Sequence, residues 1–257
     1  MDDGEVPPSH PRADSLRARA RLVEGVEAGL TSRHGLIAHG RGEAFDYLLG
    51  EETIPSAREA ARVGAAVMLL ADRPVVSVNG NLAALAPAAT VELAAAVDAR
   101  LEVNLFHRSD TRVRAIAGHL REHGADDVLG TGAEARIPDL AHDRATVHED
   151  GIYDADVVLI PLEDGDRAEA LDAMGKTEVV IDLNPLSRSA RTADVPIIDN
   201  VLRALPAMTA AARELADEPR SSLQGLVEGF DADRARGEAE RRIRGGDLAG
   251  VELRGKA

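Results

Sequence analysis

From Pro74 onward the chain alternates short apolar runs with helical patterns, and that alternation restricts it to a largely parallel sheet. The runs are Pro74–Val78, Leu101–Phe106, Asp127–Leu129, Asp156–Leu162, Glu178–Leu183 and Val195–Ile198. Helical periodicity separates most of them, at Pro87–Ala99, Asp110–His123 and Arg167–Met174, and a further helix follows from Asn200. The runs carry little polar alternation, as expected of strands covered on both faces. The predicted class is α/β: a mostly parallel sheet flanked by helices.

A helical segment precedes the sheet. Leu16, Leu22, Val23, Val26 and Leu30 share one face of a helix over Ser15–Leu30, with Asp14 or Ser15 as its cap. Thr31–Glu52 reads as mixed and glycine-rich, and Pro55 opens a second helix to about Ala71. Residues 1–8 read as a flexible lead, 9–218 as a single α/β domain with N-terminal helices, and 219–257 as a charged C-terminal helix or partly disordered tail.

The formal charge of −15 argues against nucleic-acid binding, which needs cations to displace phosphate counterions. The absence of cysteine removes disulfides, thiol nucleophiles and cysteine–metal sites. Apolar stretches such as Ala65–Ala71 are too short to span a bilayer, and the acidic N-terminus lacks a signal pattern, so a soluble cytoplasmic protein is expected. Only Lys176 and Lys256 are lysines, and acid is abundant. A surface of that kind suits high salt, which screens it, although a GC-rich genome also favours Arg and Ala.

Ligands of open α/β sheets bind beyond the carboxyl ends of the strands. There this chain places Asn79-Gly80-Asn81, His107-Arg108, Glu163 to Arg167, Asn184 to Ser189, and Asp199-Asn200. Each loop alone is ordinary turn chemistry; together they fit a site for a large polar ligand. Glu163, Asp164 and Asp166 are candidates to hold Mg²⁺, or a solvated charge run. Two phosphate-loop look-alikes fail on context. Ala170–Thr177 leads from a helix into a strand, and Gly130–Ala135 meets Pro138 too soon for a crossover helix. Lys176 reads as a cation at the end of the preceding helix. In the N-terminal part, Gly40 and Gly42 flank Arg41, so that backbone amides and a guanidinium are expected to meet one anion. His39 beside them is either a core histidine or a catalytic or phosphate contact.

HGLIAHGRGEAFDYL at 34–48, PVVSVNGNLAAL at 74–85, LEVNLF at 101–106, PLEDGDRAEAL at 161–171 and IDLNPLSRSA at 181–190 together resemble the archaeal phosphopantothenate synthetase family, also called 4-phosphopantoate–β-alanine ligase. The resemblance runs from about Ser9 to Met208. Ala168 stands where the family pattern has a hydroxyl residue. The resemblance implies a Rossmann-like sheet, a homodimer and an archaeal source, which the acid-rich, lysine-poor composition makes halophilic. It also implies an ATP- and Mg²⁺-dependent, AMP-forming ligase of coenzyme A biosynthesis that joins 4-phosphopantoate to β-alanine through an acyl adenylate. It further implies nucleotide contacts at Arg19, Arg41, Asp182, Leu183, Asn184, Arg188, Ser189, Asn200 and Val201, with His39 and Arg41 in the catalytic set. A nicotinamide-dependent oxidoreductase and a non-catalytic nucleotide-binding regulator are the alternatives that the sheet alone leaves open.

Overall fold

The structure is a computed structural model and describes residues 6–7, 9–162 and 165–245. Most of the expected N-terminal lead, Glu163 and Asp164 of the candidate Mg²⁺ cluster, and the tail from residue 246, with Lys256, lie outside the described residues.

Three helices come first: α1 (Ala13–Glu27), α2 (Arg33–Leu49) and α3 (Pro55–Leu70). Then follow β1 (Pro74–Val78), α4 (Gly80–Leu85), α5 (Pro87–Ala96), β2 (Arg100–Val103), α6 (Asp110–Glu122) and β3 (Val128–Leu129). A small antiparallel hairpin, β4 (Ala135–Arg136) with β5 (Thr146–Val147), interrupts the alternation and leads into a π-turn over Glu149–Tyr153. It resumes with β6 (Val157–Pro161), α7 (Gly165–Ala173), β7 (Thr177–Ile181), α8 (Arg188–Thr192) and β8 (Val195–Ile197). The described chain ends in α9 (Val201–Leu215), α10 (Arg220–Glu228) and α11 (Ala232–Gly245).

The six main strands lie in the order β3-β2-β1-β6-β7-β8, and every neighbouring pair is parallel. All six coincide with the apolar runs of the sequence. The register explains why those runs are apolar throughout. Leu101, Val76, Leu159, Val179 and Val195 lie opposite one another across five strands and all enter the core beneath α3, α5, α6 and α9. Their neighbours Val75, Val158, Ile160 and Val180 face the other way, against α7, the hairpin and the π-turn. Gly64 lets α3 approach closely, since a Cβ there would sit 3.0 Å from Val179.

The second face also buries charge. Arg167 of α7 is fully buried and donates from Nη2 to Ser77 Oγ at 3.1 Å. Glu102 opposite Ser77 accepts the amides of His148 at 2.9 Å and Ile152 at 2.6 Å. Burial pushes the Glu102 carboxyl up, while these amides and Arg167 pull it down. Glu102 thus fastens the π-turn to the sheet.

Several expectations are corrected. Thr31–Glu52 is largely one helix, because Ser32 caps it and Gly50 closes it with φ of 101°. Helix α1 starts at Ala13 after Arg12, without a side-chain cap, and Ser15 instead donates its hydroxyl to Glu43. Asn79-Gly80-Asn81 lies at the carboxyl edge as expected, and Asn79 also caps α4 by accepting Leu82 N at 3.0 Å. Of the two readings of the 219–257 tail, the described part follows the helix: Ala232–Gly245 is helical, with Ala235 and Ala239 buried.

Lys176 is also corrected. Its ammonium does not serve the end of α7; it donates to the carbonyls of Tyr153 and Ala155, each at 2.7 Å, closing the π-turn at the amino edge of the sheet. Burial holds its pKa below the usual lysine value. Lys176→Gln should therefore lower stability by about 1.5–3 kcal/mol, the scale of charge-assisted hydrogen bonds, and leave ligand binding at the opposite edge unchanged. Thermal melts and ligand titrations of the variant check this, and a binding defect at unchanged Tm would refute it.

Candidate functional site

Strand order reverses direction between β1 and β6, and the crossovers leaving them open a crevice at their carboxyl ends. Asn79 spans it. Its Nδ2 donates to Pro161 O at 2.8 Å and Leu162 O at 3.3 Å, while its Oδ1 caps α4. Leu162 takes a left-handed backbone, φ 57°, unusual for a leucine, and its amide is held by Ile181 O at 3.0 Å.

A cleft of about 590 Å³ occupies this edge and is roofed by α2. Four arginines line it, Arg41, Arg112, Arg144 and Arg188, against one carboxylate among the described lining residues, Asp182. Gly80 and Gly35 have no room for a Cβ, which would lie 2.4 Å from Leu30 O and 2.3 Å from Asn81 Oδ1 respectively. These contacts seat the start of α2 against α4. Asn81 adds a bond from Nδ2 to Gly35 O at 2.9 Å.

The structure brings His39, Arg41, Asp182, Leu183, Asn184, Arg188, Ser189, Asn200 and Val201 to this one cleft. Arg19 is not among the lining residues. It projects from α1 and grips Glu43 of α2, with Nε 2.9 and 3.0 Å from the two carboxylate oxygens. The cradle of amides around Arg41 is overturned, because Gly40 and Gly42 lie inside α2, where helical bonding uses their amides. Arg41 reaches the cleft from the helix surface, and its charge acts on Asp182.

Asp182 follows β7 and accepts Ser187 Oγ at 2.6 Å and Asn184 N at 2.9 Å. Burial pushes its carboxyl up; those bonds and Arg41 oppose the shift. Asn184 Oδ1 accepts Leu186 N at 3.0 Å, which closes the turn and leaves Nδ2 for a ligand. Ser187 caps α8, whose first residues are Arg188 and Ser189. Arg188 pairs with Asp166 at 3.0 Å, and Asp166 also meets His142 at 3.4 Å. Asn200 caps α9, a fifteen-residue helix whose N-terminus opens on the cleft. Ala168 is fully buried in α7, so the missing hydroxyl does not face the cleft.

Sequence reasoning did not put Arg112 or Arg144 in the site. Arg112 donates to His107 O at 3.0 Å and Leu30 O at 3.2 Å, and its buried Nε has no partner. Burial holds its guanidinium below the usual arginine value. Arg144 is buried at the cleft wall, on backbone whose carbonyls at Arg144 and Thr146 accept Asn104 Nδ2, each at 3.1 Å. Neither arginine follows a strand directly, so no strand-end pattern marks them. Among the described residues no three His, Cys, Asp or Glu side chains gather as a metal-ligand set, and no helix is long and apolar enough to cross a membrane.

A parallel sheet with an arginine-lined cleft at its switch point defines an α/β protein built to hold anionic small molecules. Comparison with known proteins is more specific. The family described as phosphopantothenate/pantothenate synthetase matches residues 56–246, reaching into α11. The 4-phosphopantoate–β-alanine ligase of Thermococcus onnurineus is 56% identical over 88% of this chain and 87% of its own length. The protein of the same name from Methanosarcina mazei is 52% identical over 91% and 92%. The chain belongs to the phosphopantothenate/pantothenate synthetase family.

His39 yields a pH test. Its Nε2 is buried without a partner, and burial, helped by Arg19, holds its pKa below the ordinary histidine value against the pull of Glu43 and Asp46. The unfolded chain gains a proton here below about pH 6.5, which the folded chain resists. The stability His39 carries is therefore complete above that pH and lost as pH falls toward the depressed folded value. His39→Gln should flatten the fall of Tm between about pH 7 and 5; an unchanged slope would show that His39 titrates normally.

Proposed function

We propose that this chain is an ATP-dependent, AMP-forming ligase that condenses 4-phosphopantoate with β-alanine, giving 4′-phosphopantothenate, AMP and pyrophosphate in coenzyme A biosynthesis. The observation that carries the reading is the charge of the cleft. In a chain of net charge −15, the site gathers four arginines around one described carboxylate. Such a site is complementary to phosphates and carboxylates. The relatives named for this reaction supply the substrates.

The cleft divides naturally into two halves. Asp182, Asn184, Arg188, Ser189 and the start of α9 form the nucleotide half, beyond β7 and β8. Arg112 and Arg144, with His107 beside them, form the half beyond β1 and β2 and take the phosphate of 4-phosphopantoate. Arg41 reaches in from α2. The acid's carboxylate attacks the α-phosphorus of ATP and expels pyrophosphate; the amine of β-alanine then attacks the acyl carbon and expels AMP. Arg41 and Arg188 stabilise the negative charge that develops on the phosphates. His39, kept neutral by burial, accepts the proton that the ammonium of β-alanine must lose. Asp182 is the described cleft carboxylate that would hold Mg²⁺, which would offset negative charge on the nucleotide phosphates when bound. Arg19, held beside α2 by Glu43, keeps its place as a nucleotide contact in this reading. A homodimer belongs to the same reading: α1 and α2 leave Val23, Ile37, Tyr47 and Leu48 exposed along the roof of the site, a face for a second copy.

Mass spectrometry of ATP, Mg²⁺, 4-phosphopantoate and β-alanine incubated with the protein should show 4′-phosphopantothenate and AMP in equal amounts. A change in nicotinamide absorbance, or binding of ATP without turnover, would favour the oxidoreductase or regulator readings instead. Arg41→Ala should lower kcat by about 100-fold or more, as loss of a preorganised charge donor does; near wild-type rates at saturating ATP would refute its role. Arg112→Ala should raise the KM for 4-phosphopantoate by about tenfold or more while leaving that for ATP nearly unchanged, as loss of one charge-assisted contact predicts. Steady-state kinetics with each substrate varied separates the two halves.

A further inference from the structure

Helix α2 carries Arg41 and His39 over the cleft, yet of its seventeen residues only Asp46 and Leu49 are buried. One of its two anchors is therefore a carboxylate. Asp46 lies seven residues after His39, two helical turns along the same face. Its exposure is 4%, and the groups that meet it come from α9. Arg203 Nη2 is 2.5 Å from Asp46 Oδ1, and Nη1 is 3.3 Å from Oδ2. The same guanidinium holds Asp199, at the end of β8, through Nε at 2.9 Å and Nη2 at 2.6 Å. Thr53, beyond the end of α2, donates to the other oxygen of Asp199 at 2.6 Å. Asn200 completes the group: Nδ2 donates to Asp46 Oδ2 at 2.8 Å while Oδ1 accepts Leu202 N at 3.0 Å.

Those last two bonds leave the Asn200 amide a single orientation. Its oxygen faces the α9 amide and one hydrogen faces Asp46, so the second hydrogen is what it presents to the cleft. Neither Asp46 nor Arg203 lines the cleft; Asp46 acts on it through Asn200, which does.

We propose that Asp46 and Arg203 are positioning residues of the nucleotide half of the cleft: they lock α2 to the start of α9 and fix which face of the Asn200 amide a nucleotide meets. The proposal rests on the reading of that half as the ATP site. It gives Arg203 a role that Lys fills poorly, because a compact ammonium lacks the planar fork that meets Asp46 through two nitrogens and Asp199 through two.

The test is ATP binding by calorimetry and the KM for ATP in the full ligase assay, both below the melting temperature of each variant. Asp46→Ala and Arg203→Lys should each weaken ATP by about tenfold, the effect of losing a charge-assisted bond. Arg234→Ala, which removes an exposed pair with Glu59 of α3, should leave ATP binding unchanged. Should Asp46→Ala fail to fold, Asp46→Asn carries the test: its own amide hydrogens face Arg203 and Asn200, so ATP affinity falls although the volume is kept. Wild-type ATP affinity in Arg203→Lys and in whichever Asp46 variant folds, with only Tm lowered, would overturn the proposal and make the cluster purely structural. Failure of the wild-type protein to bind ATP would overturn the ligase reading first, and this one with it.

Discussion

The bond between Asn79 and the carbonyls of Pro161 and Leu162 is the contact on which the site depends. At a switch point two adjacent parallel strands send their chains to opposite faces, and the crevice between them exposes backbone carbonyls with no sheet partner. Asn79 satisfies them with one side of its amide and starts α4 with the other. At the amino ends of the same pair, Asp156 of the β6 side accepts the amides of Asp72 and Arg73 at 2.8 and 2.9 Å, just before β1. Burial pushes the Asp156 carboxyl up, but these amides together with those of Asp156 and Val157 bring it below its ordinary value. The central pair is thus pinned at both ends, one end by an anion and the other by a neutral amide. A neutral link suits the end where anionic ligands must enter.

The charge distribution follows the same division. The cleft is cationic inside an acidic chain, and the arginines that line it are held by backbone carbonyls as well as by acids. Arg112 donates to two carbonyls and keeps Nε free of any protein partner. A carbonyl orients a guanidinium without neutralising it, so the charge stays available to a ligand. Arg19 is held differently, by both oxygens of Glu43, a pair that joins α1 to α2.

The sheet was legible in the sequence because its strands are buried on both faces, so apolar runs mark them without any knowledge of pairing. Helix α2 was not legible. Its glycines at 35, 40 and 42 and its few buried residues erase the apolar stripe that identifies a helix, and its stability comes from contacts far away in sequence. The polar ends of β1, β7 and β8 could be read as one edge because parallel topology puts them there. Arg112 and Arg144 could not, since one is reached through a helix and the other through the β4–β5 excursion. The glycine next to Arg41 misled for a physical reason: glycine signals close approach or unusual backbone, and in α2 the approach at Gly42 is to Leu183, 3.5 Å from where a Cβ would stand.

That weakness of α2 as an isolated helix is informative in its own right. A helix held mainly by hydrophobic burial is fixed wherever its apolar stripe lies, and its polar face then points where geometry leaves it. A helix held by Asp46 at one end and by Gly35 with Asn81 at the other is instead fixed by directional bonds, each with a defined angle and partner. Directional anchors set the rotation of α2 about its own axis, which burial of Leu49 alone would not. Rotation is what matters for His39 and Arg41, because one residue step along a helix turns a side chain by about 100°. The polar clamp therefore determines which side chains of α2 face the cleft, and the price in desolvated charge is borne by groups that never touch the ligand.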